Sequence, residues 1–322
     1  MNKHTTLPNL MQKIVSDEDM QTITEAVGYH DSSRKFTVRT LIDFFLLAAV
    51  HEWKSFRHGA DVSTTVTVGK NRLSWAPYHG ERSGIKLHVA YSPEHQSPMD
   101  AIETTGLRHD GPVGEALTHP KQILVEDRAY FKIERIDQFA ENGQLFVIRM
   151  KENVEIHRRH RLQRLVSSDS NVITDFTCQL GTKQCRSKKR HRVVIFRDAH
   201  GKEIRVVTNV FDVSAEKIAD MYQERWTVEV FFRWIKQYLN VPTLFGTTKN
   251  AVYNQLFAAF IAYVLLRWLY DRTEKRTQTT LTFISFVRRV LFGQLPLDWK
   301  SEMVAVLFEH AHFYGRSIPN FG

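Results

Sequence analysis

The chain is poor in cysteine. Cys178 and Cys185 are the two in 322 residues. One pair makes neither a disulfide framework nor a four-cysteine zinc site, so plain thiols in a reducing compartment are expected. Several fingerprints of chemistry are also missing. No Gly-x-Ser-x-Gly elbow occurs, which leaves a serine nucleophile unsupported. No P-loop and no dinucleotide-binding glycine motif occurs either. The first residues, Met-Asn-Lys-His-Thr-Thr-Leu-Pro, lack the apolar core of a signal peptide. Internal repeats and low-complexity tracts are absent. Long apolar runs are scarce too. Residues 251–270 come nearest, but Asn254, Gln255 and Arg267 interrupt them, and the apolar core 256–266 is too short to cross hydrocarbon. A buried helix is the better reading, in a cytoplasmic protein with no membrane partner.

What is present in excess is positive charge. Lysine and arginine number 44 against 35 acids, a formal net charge of +9. The isoelectric point near 9.5 favours a polyanionic partner. Nucleic acid is the first candidate and an anionic membrane surface the second. With 43% hydrophobic residues the chain can build a sizeable core, and its length suits two or three structural units.

The texture changes along the chain. Residues 1–60 read as helical, with a capping-box arrangement at Ser16 and Asp19. Strands follow: the β-branched run after Ser63, the alternating run 84–91, and a third at 101–105. Residues 121–127 form an apolar run ending in acid, a buried strand with Asp127 at its C-terminal tip. A helix at 133–142 and a strand at 144–149 complete a strand–helix–strand unit. Residues 152–212 are polar and hairpin-like, with a turn at His200-Gly201. They read as a β-rich insertion. Helices are expected again at 252–270, 281–292 and 299–310. The whole is an α/β chain, a mixed sheet covered by helices. Residues 61–151 and 213–310 would form its main domain, 1–60 an N-terminal helical region and 311–322 a tail.

Tyr222, Arg225, Glu229 and Lys236 carry the most information. No proline or glycine interrupts 214–240, so the stretch reads as one helix. At about 100° per residue, with Tyr222 at zero, the other three fall at roughly 300°, 340° and 320°. A tyrosine, two cations and a carboxylate then share one narrow stripe. Either a solvated amphipathic face or a site facing a groove would give that pattern.

The spacing Tyr-x2-Arg-x3-Glu-x6-Lys resembles the signature of the bacterial DDE transposases of the insertion sequence 4 family, and the likeness extends from Thr5 to Gly322. The resemblance implies an RNase H-like fold and a cut-and-paste transposase acting on terminal inverted repeats of double-stranded DNA, with a homodimer in the DNA complex. It implies that Glu229 is the third carboxylate of a metal-binding triad, and that Arg225, Lys236 and Tyr222 lie against DNA phosphates. Val125-Glu-Asp127-Arg-Ala-Tyr130 looks like the family's strand-end acid motif, which makes Asp127 the second carboxylate. Two Mg2+ or Mn2+ ions would be the cofactor, since paired cations activate the attacking oxygen and stabilise the leaving one. Arg149 and Lys151, Lys86 and His88 are further candidate DNA contacts or surface cations. The basic runs 157–161 and 188–192 lie in the segment that clasps DNA in this family. Lys188, Lys189 and Arg190 are therefore expected phosphate contacts.

The first acid departs from the family pattern. The family places an Asp directly before Ser-Thr at the first strand, and Val62 stands there in this chain. Asp61 lies one residue further back, where a strand would turn it to the opposite face. We expect an internal deletion that joined Ala60-Asp61-Val62 to Ser63. A DNA-binding remnant without catalysis is then the alternative to a working transposase.

Overall fold

The computed structural model describes residues 14–30, 37–40, 42, 64–69, 72–79, 82–118, 122–162, 169–238, 244 and 246–313. In chain order the elements are α1 (Asp17–Ala26), β1 (Thr64–Gly69), β2 (Arg82–Ser92), β3 (Ser97–Thr105), α2 (Asp110–Ala116), β4 (Leu124–Glu126), α3 (Ile133–Glu141) and β5 (Phe146–Arg149). They continue with β6 (Ile156–Arg161), β7 (Val172–Leu180), β8 (His191–Arg197), β9 (Glu203–Thr208), α4 (Ala215–Glu224) and α5 (Trp226–Tyr238). Helices α6 (Lys249–Glu274), α7 (Phe283–Phe292) and α8 (Leu297–Phe313) close the series. The chain divides into two compact units, Gly59–Phe232 and Met1–His58 with Arg233–Gly322.

The unit Gly59–Phe232 is built on a six-stranded sheet in the order β4-β5-β9-β8-β7-β6. The β4–β5 pair is parallel and the rest are antiparallel. Side chains alternate across it with period two. Phe146, Ile148, Val193 and Ile195 point to one face, where Ile136 and Phe139 of α3 cover them. Val147, Val194, Phe196 and Val206 point to the other, under Ile218, Ala219 and Tyr222 of α4. One helix on each face of a mixed sheet is the α/β architecture expected from sequence, and it is consistent with an RNase H-like fold. Strands β6 to β9, from the segment read as an insertion, lie in the same hydrogen-bonded sheet as β4 and β5. The turn between β8 and β9 needs Gly201 at φ +78°, a left-handed conformation that favours glycine. Asp198 accepts hydrogen bonds there from the His200 and Lys202 N–H groups.

A second, antiparallel sheet in the same unit has the order β1-β2-β3. Its β1–β2 register pairs Thr64 with Leu87 and Gly69 with Arg82. Strand β2 is eleven residues long and β1 six, so β2 runs on past the start of β1.

In the other unit, Ser16 and Asp19 form the reciprocal capping box expected for α1. Residues 43–60, read from sequence as helical, lie outside the described residues. Helix α6 is long and apolar enough to cross a membrane by length and composition. Most of its apolar window is nevertheless buried inside the protein, as in a core helix. Trp299 of α8 is fully buried against Tyr270 and Phe286, and its indole donates to the Thr279 carbonyl at 2.7 Å.

Candidate DNA-processing site

Asp127 follows β4 directly, as the acid-ended apolar run predicts. Its carboxylate accepts a hydrogen bond from the Arg128 N–H at 2.6 Å and so shapes the turn. The same oxygen lies 3.5 Å from the Tyr222 hydroxyl, long for an O–H···O bond. Glu126, one residue earlier, faces the interior and is 5% exposed. Burial pushes its carboxyl up to about 8, against the pull of Arg135. The two adjacent acids therefore serve different environments, as the alternation of a strand dictates.

The helix of the signature is not continuous. It breaks at Arg225 into α4 and α5, which corrects the single-helix reading of 214–240. Around the break the Arg225 N–H bonds to the Tyr222 carbonyl and the Val228 N–H to the Arg225 carbonyl. Three-residue closures of this kind tighten the turn in place of α-helical bonds. No proline or glycine marks the spot, which is why composition did not reveal it.

Despite the break, three signature residues converge in one place. Tyr222 is buried on α4 with its ring edge-on to Phe196. Glu229 is buried on α5, and Arg225 Nη2 meets its Oε1 at 2.6 Å. The other Glu229 oxygen and the Nε and Nη1 of Arg225 have no hydrogen-bond partner. Burial works against the Arg225 charge, but Tyr222, Glu229 and Asp127 outweigh it and raise its pKa. Burial also raises the Tyr222 pKa, with Asp127 adding to the effect and Arg225 and Arg149 opposing it. Asp127, Arg149, Tyr222, Arg225 and Glu229 thus form one electrostatic cluster.

The remaining candidates fall elsewhere. Lys151 is exposed beyond the end of β5. Lys236 lies on α5, in the part of that helix belonging to the other unit. Asp61 lies outside the described residues. Lys188, Lys189 and Arg190 are exposed on the turn leading into β8. Asp137 of α3 holds that turn from beneath: its carboxylate accepts the Lys188 N–H at 2.7 Å, the Lys189 N–H at 3.3 Å and the His191 imidazole at 2.7 Å. Arg190 also ties β6 to β7 by donating to the Arg158 and Thr177 carbonyls. The last two residues of the basic run are structural. His191 is buried, and Arg192 is fully buried in a two-pronged pair with Asp175 at 2.8 and 2.9 Å. Within the run 188–192, Lys188, Lys189 and Arg190 alone are exposed. On β6, Arg158, Arg159, His160 and Arg161 are exposed.

His88 is also withdrawn as a DNA contact. It is 1% exposed, and burial lowers its pKa to about 4, so it is neutral. Its Nε2 pairs with Thr104 at 3.0 Å. Lys86 is bound to Asp110 at 3.0 Å. Asp137 and the Asp175–Arg192 pair were missed from sequence. A charged residue within the apolar pattern of α3 was the available signal for Asp137.

Similarity to known proteins bears on this site. The Transposase DDE domain family matches residues 63–265. The chain belongs to that family. It is 66% identical to the "Probable transposase for insertion sequence element IS5377" of Geobacillus stearothermophilus, over all of both chains. It is 32% identical to "Putative transposase y4zB" of Sinorhizobium fredii, covering 77% of this chain and 72% of that one. It is 30% identical to the "Putative transposase for insertion sequence element IS4SA" of a Synechocystis species, covering 75% and 68%. This transposase is therefore of the insertion sequence 4 kind, and its family implies DNA as partner and a divalent metal as cofactor.

The alignment with the Geobacillus protein spans 377 positions, whereas this transposase has 322 residues. The difference, 377 − 322, leaves 55 aligned positions without a counterpart here. The family match begins at Ser63, so Asp61 and Val62 fall outside it.

Metal ions of this chemistry need converging oxygen donors. Asp127 and Glu229 offer carboxylates, but one Glu229 oxygen is already paired with Arg225. Among the described residues no group of three His, Cys, Asp or Glu side chains is arranged to hold a metal ion. The described donors alone do not complete a two-metal site.

Proposed function

We propose that this transposase binds the terminal repeats of its element as double-stranded DNA, as a homodimer on DNA, in the cytoplasm and away from membranes. Asp127 and Glu229 are two of the three carboxylates that the family's strand cleavage and transfer require, with Mg2+ or Mn2+ as the metal. Tyr222, Arg225 and Arg149 position phosphates around that site, and Lys151 and Lys236 are further DNA contacts. Lys188, Lys189 and Arg190 hold the duplex from a second place, with Asp137 fixing their turn.

In its present form the protein binds DNA and cuts it poorly or not at all. One observation carries this reading: 55 positions of the alignment with the Geobacillus relative have no counterpart in this chain. Two carboxylates with Arg225 between them hold too little negative charge for a pair of divalent cations.

Binding is tested by fluorescence anisotropy with a duplex copying the element's end and an unrelated duplex. Preference for the end is expected, with affinity falling steeply as salt rises. Equal, salt-insensitive binding of both would contradict it.

A further inference from the structure

Two arginine–carboxylate pairs in the unit Gly59–Phe232 are built differently. Arg192 uses every prong. Its Nε and Nη2 meet the two Asp175 oxygens at 2.9 and 2.8 Å, and its Nη1 donates to the Val210 and Val213 carbonyls. Arg225 meets Glu229 through Nη2 and Oε1 at 2.6 Å. Its Nε and Nη1 and the second Glu229 oxygen have no hydrogen-bond partner, although the two side chains are only 10% and 7% exposed. Buried polar atoms are normally satisfied, so three unpaired ones on a single ion pair mark partners that arrive from outside.

The unpaired atoms are of two kinds. The Arg225 donors suit an anion with several oxygens, such as a phosphate. The second Glu229 oxygen suits a hard cation. While the pair is closed, the guanidinium occupies one carboxylate oxygen and the carboxylate holds the guanidinium. Asp127 also acts on the Arg225 charge, so one guanidinium screens both acids. Arg225 stands at the break between α4 and α5 and lines a cavity of about 400 Å³, which gives its side chain room to leave Glu229.

We infer that Arg225 is an exchangeable internal cation: without DNA it caps Glu229, and a DNA phosphate draws it off and opens the carboxylate to a divalent ion. The Arg225–Glu229 contact is thus autoinhibitory. DNA and metal binding reinforce one another, because each takes one side of the same pair. This inference rests on the proposed DNA binding and on Glu229 as a metal ligand.

The test compares the full chain with Glu229→Gln, Asp127→Asn and Arg225→Met. In EDTA, affinity for the element-end duplex is read by fluorescence anisotropy. Glu229→Gln releases the arginine and should tighten binding about tenfold. Asp127→Asn removes the same charge without releasing Arg225 and should tighten it far less. Without DNA, Mn2+ binding is read from the electron paramagnetic resonance of the free ion. Arg225→Met should bind Mn2+ about tenfold more tightly than the parent, and adding Glu229→Gln should erase that gain. Where Arg225→Met does not fold, the comparison of Glu229→Gln with Asp127→Asn decides. A parent chain that binds no duplex fails the proposed function instead, and the Mn2+ arm then tests the cap by itself. Two results would overturn the inference: duplex affinities that rise equally in Glu229→Gln and Asp127→Asn or in neither, or a folded Arg225→Met with the parent's Mn2+ affinity.

Discussion

Arg225 holds Glu229 by one oxygen at 2.6 Å and leaves the other oxygen without a partner, both side chains being largely buried. The pair spans the turn between α4 and α5, where Arg225 also feels the charges of Tyr222 and Asp127. Removing one partner of a buried ion pair strands the other charge and costs about 3–5 kcal/mol. Arg225→Met should therefore destabilise the protein by that order in urea unfolding. Glu229→Gln, which keeps a hydrogen-bond acceptor, should cost clearly less. Equal, small losses for both would show that the pair does not organise the turn.

The basic run before and in β8 should split in two when mutated. Arg192→Met breaks the buried pair with Asp175 and should cost about 3–5 kcal/mol. Lys188→Ala with Lys189→Ala should change stability by less than about 0.5 kcal/mol. The double variant should instead lower the slope of log affinity against log salt by about two, one for each lost phosphate contact. Titration of labelled duplex at several salt concentrations, beside denaturant curves, separates the two effects.

Asp137 is a positioning residue for that turn. Asp137→Ala removes the acceptor of the Lys188 and Lys189 N–H groups and the His191 imidazole. The expected loss is about 1–3 kcal/mol, the cost of leaving such groups unsatisfied. DNA affinity of the folded fraction should fall too, whereas Arg192→Met should leave it intact once folded. Unchanged affinity in Asp137→Ala would separate the turn from DNA binding.

Glu126 gives a pH signature. Its folded pKa, about 8, lies above the ordinary carboxyl value of 4.5. Between those values the native state holds a proton that the unfolded chain has released. Glu126 therefore favours folding fully only below pH 4.5, and its contribution is lost as pH rises through 8. Glu126→Gln should flatten this decline and be more stable than the parent at pH 8.5, by an amount on the order of a few kcal/mol. Denaturant midpoints measured from pH 5 to 9 check the sign; a steeper decline in the variant would contradict it.

Much of the fold was legible because it rests on local patterns. The alternation through Phe146, Val147 and Ile148 sets β5 between α3 and α4, and Ser16 with Asp19 announces α1. Asp127 was legible because an apolar run ended in acid. What escaped depends on partners far apart in sequence. Arg192 reads as one more surface cation until Asp175, 17 residues away, is folded against it. His191 meets Asp137 across 54 residues. The break at Arg225 has no composition signal, because an ion pair and two tight backbone bonds make it. The Tyr222–Arg225–Glu229 spacing identified the family correctly even though the helix it assumed is two helices.

We propose that this transposase keeps its DNA-binding surface and two acids but lacks the third. This proposal is tested most directly by incubating the purified chain with an element-end duplex and Mg2+ or Mn2+, beside a version carrying the missing segment of the Geobacillus relative. Both should bind, and the restored chain alone should cut in a metal-dependent way that Asp127→Asn abolishes. Robust cleavage by the present chain, lost in Asp61→Ala, would contradict it.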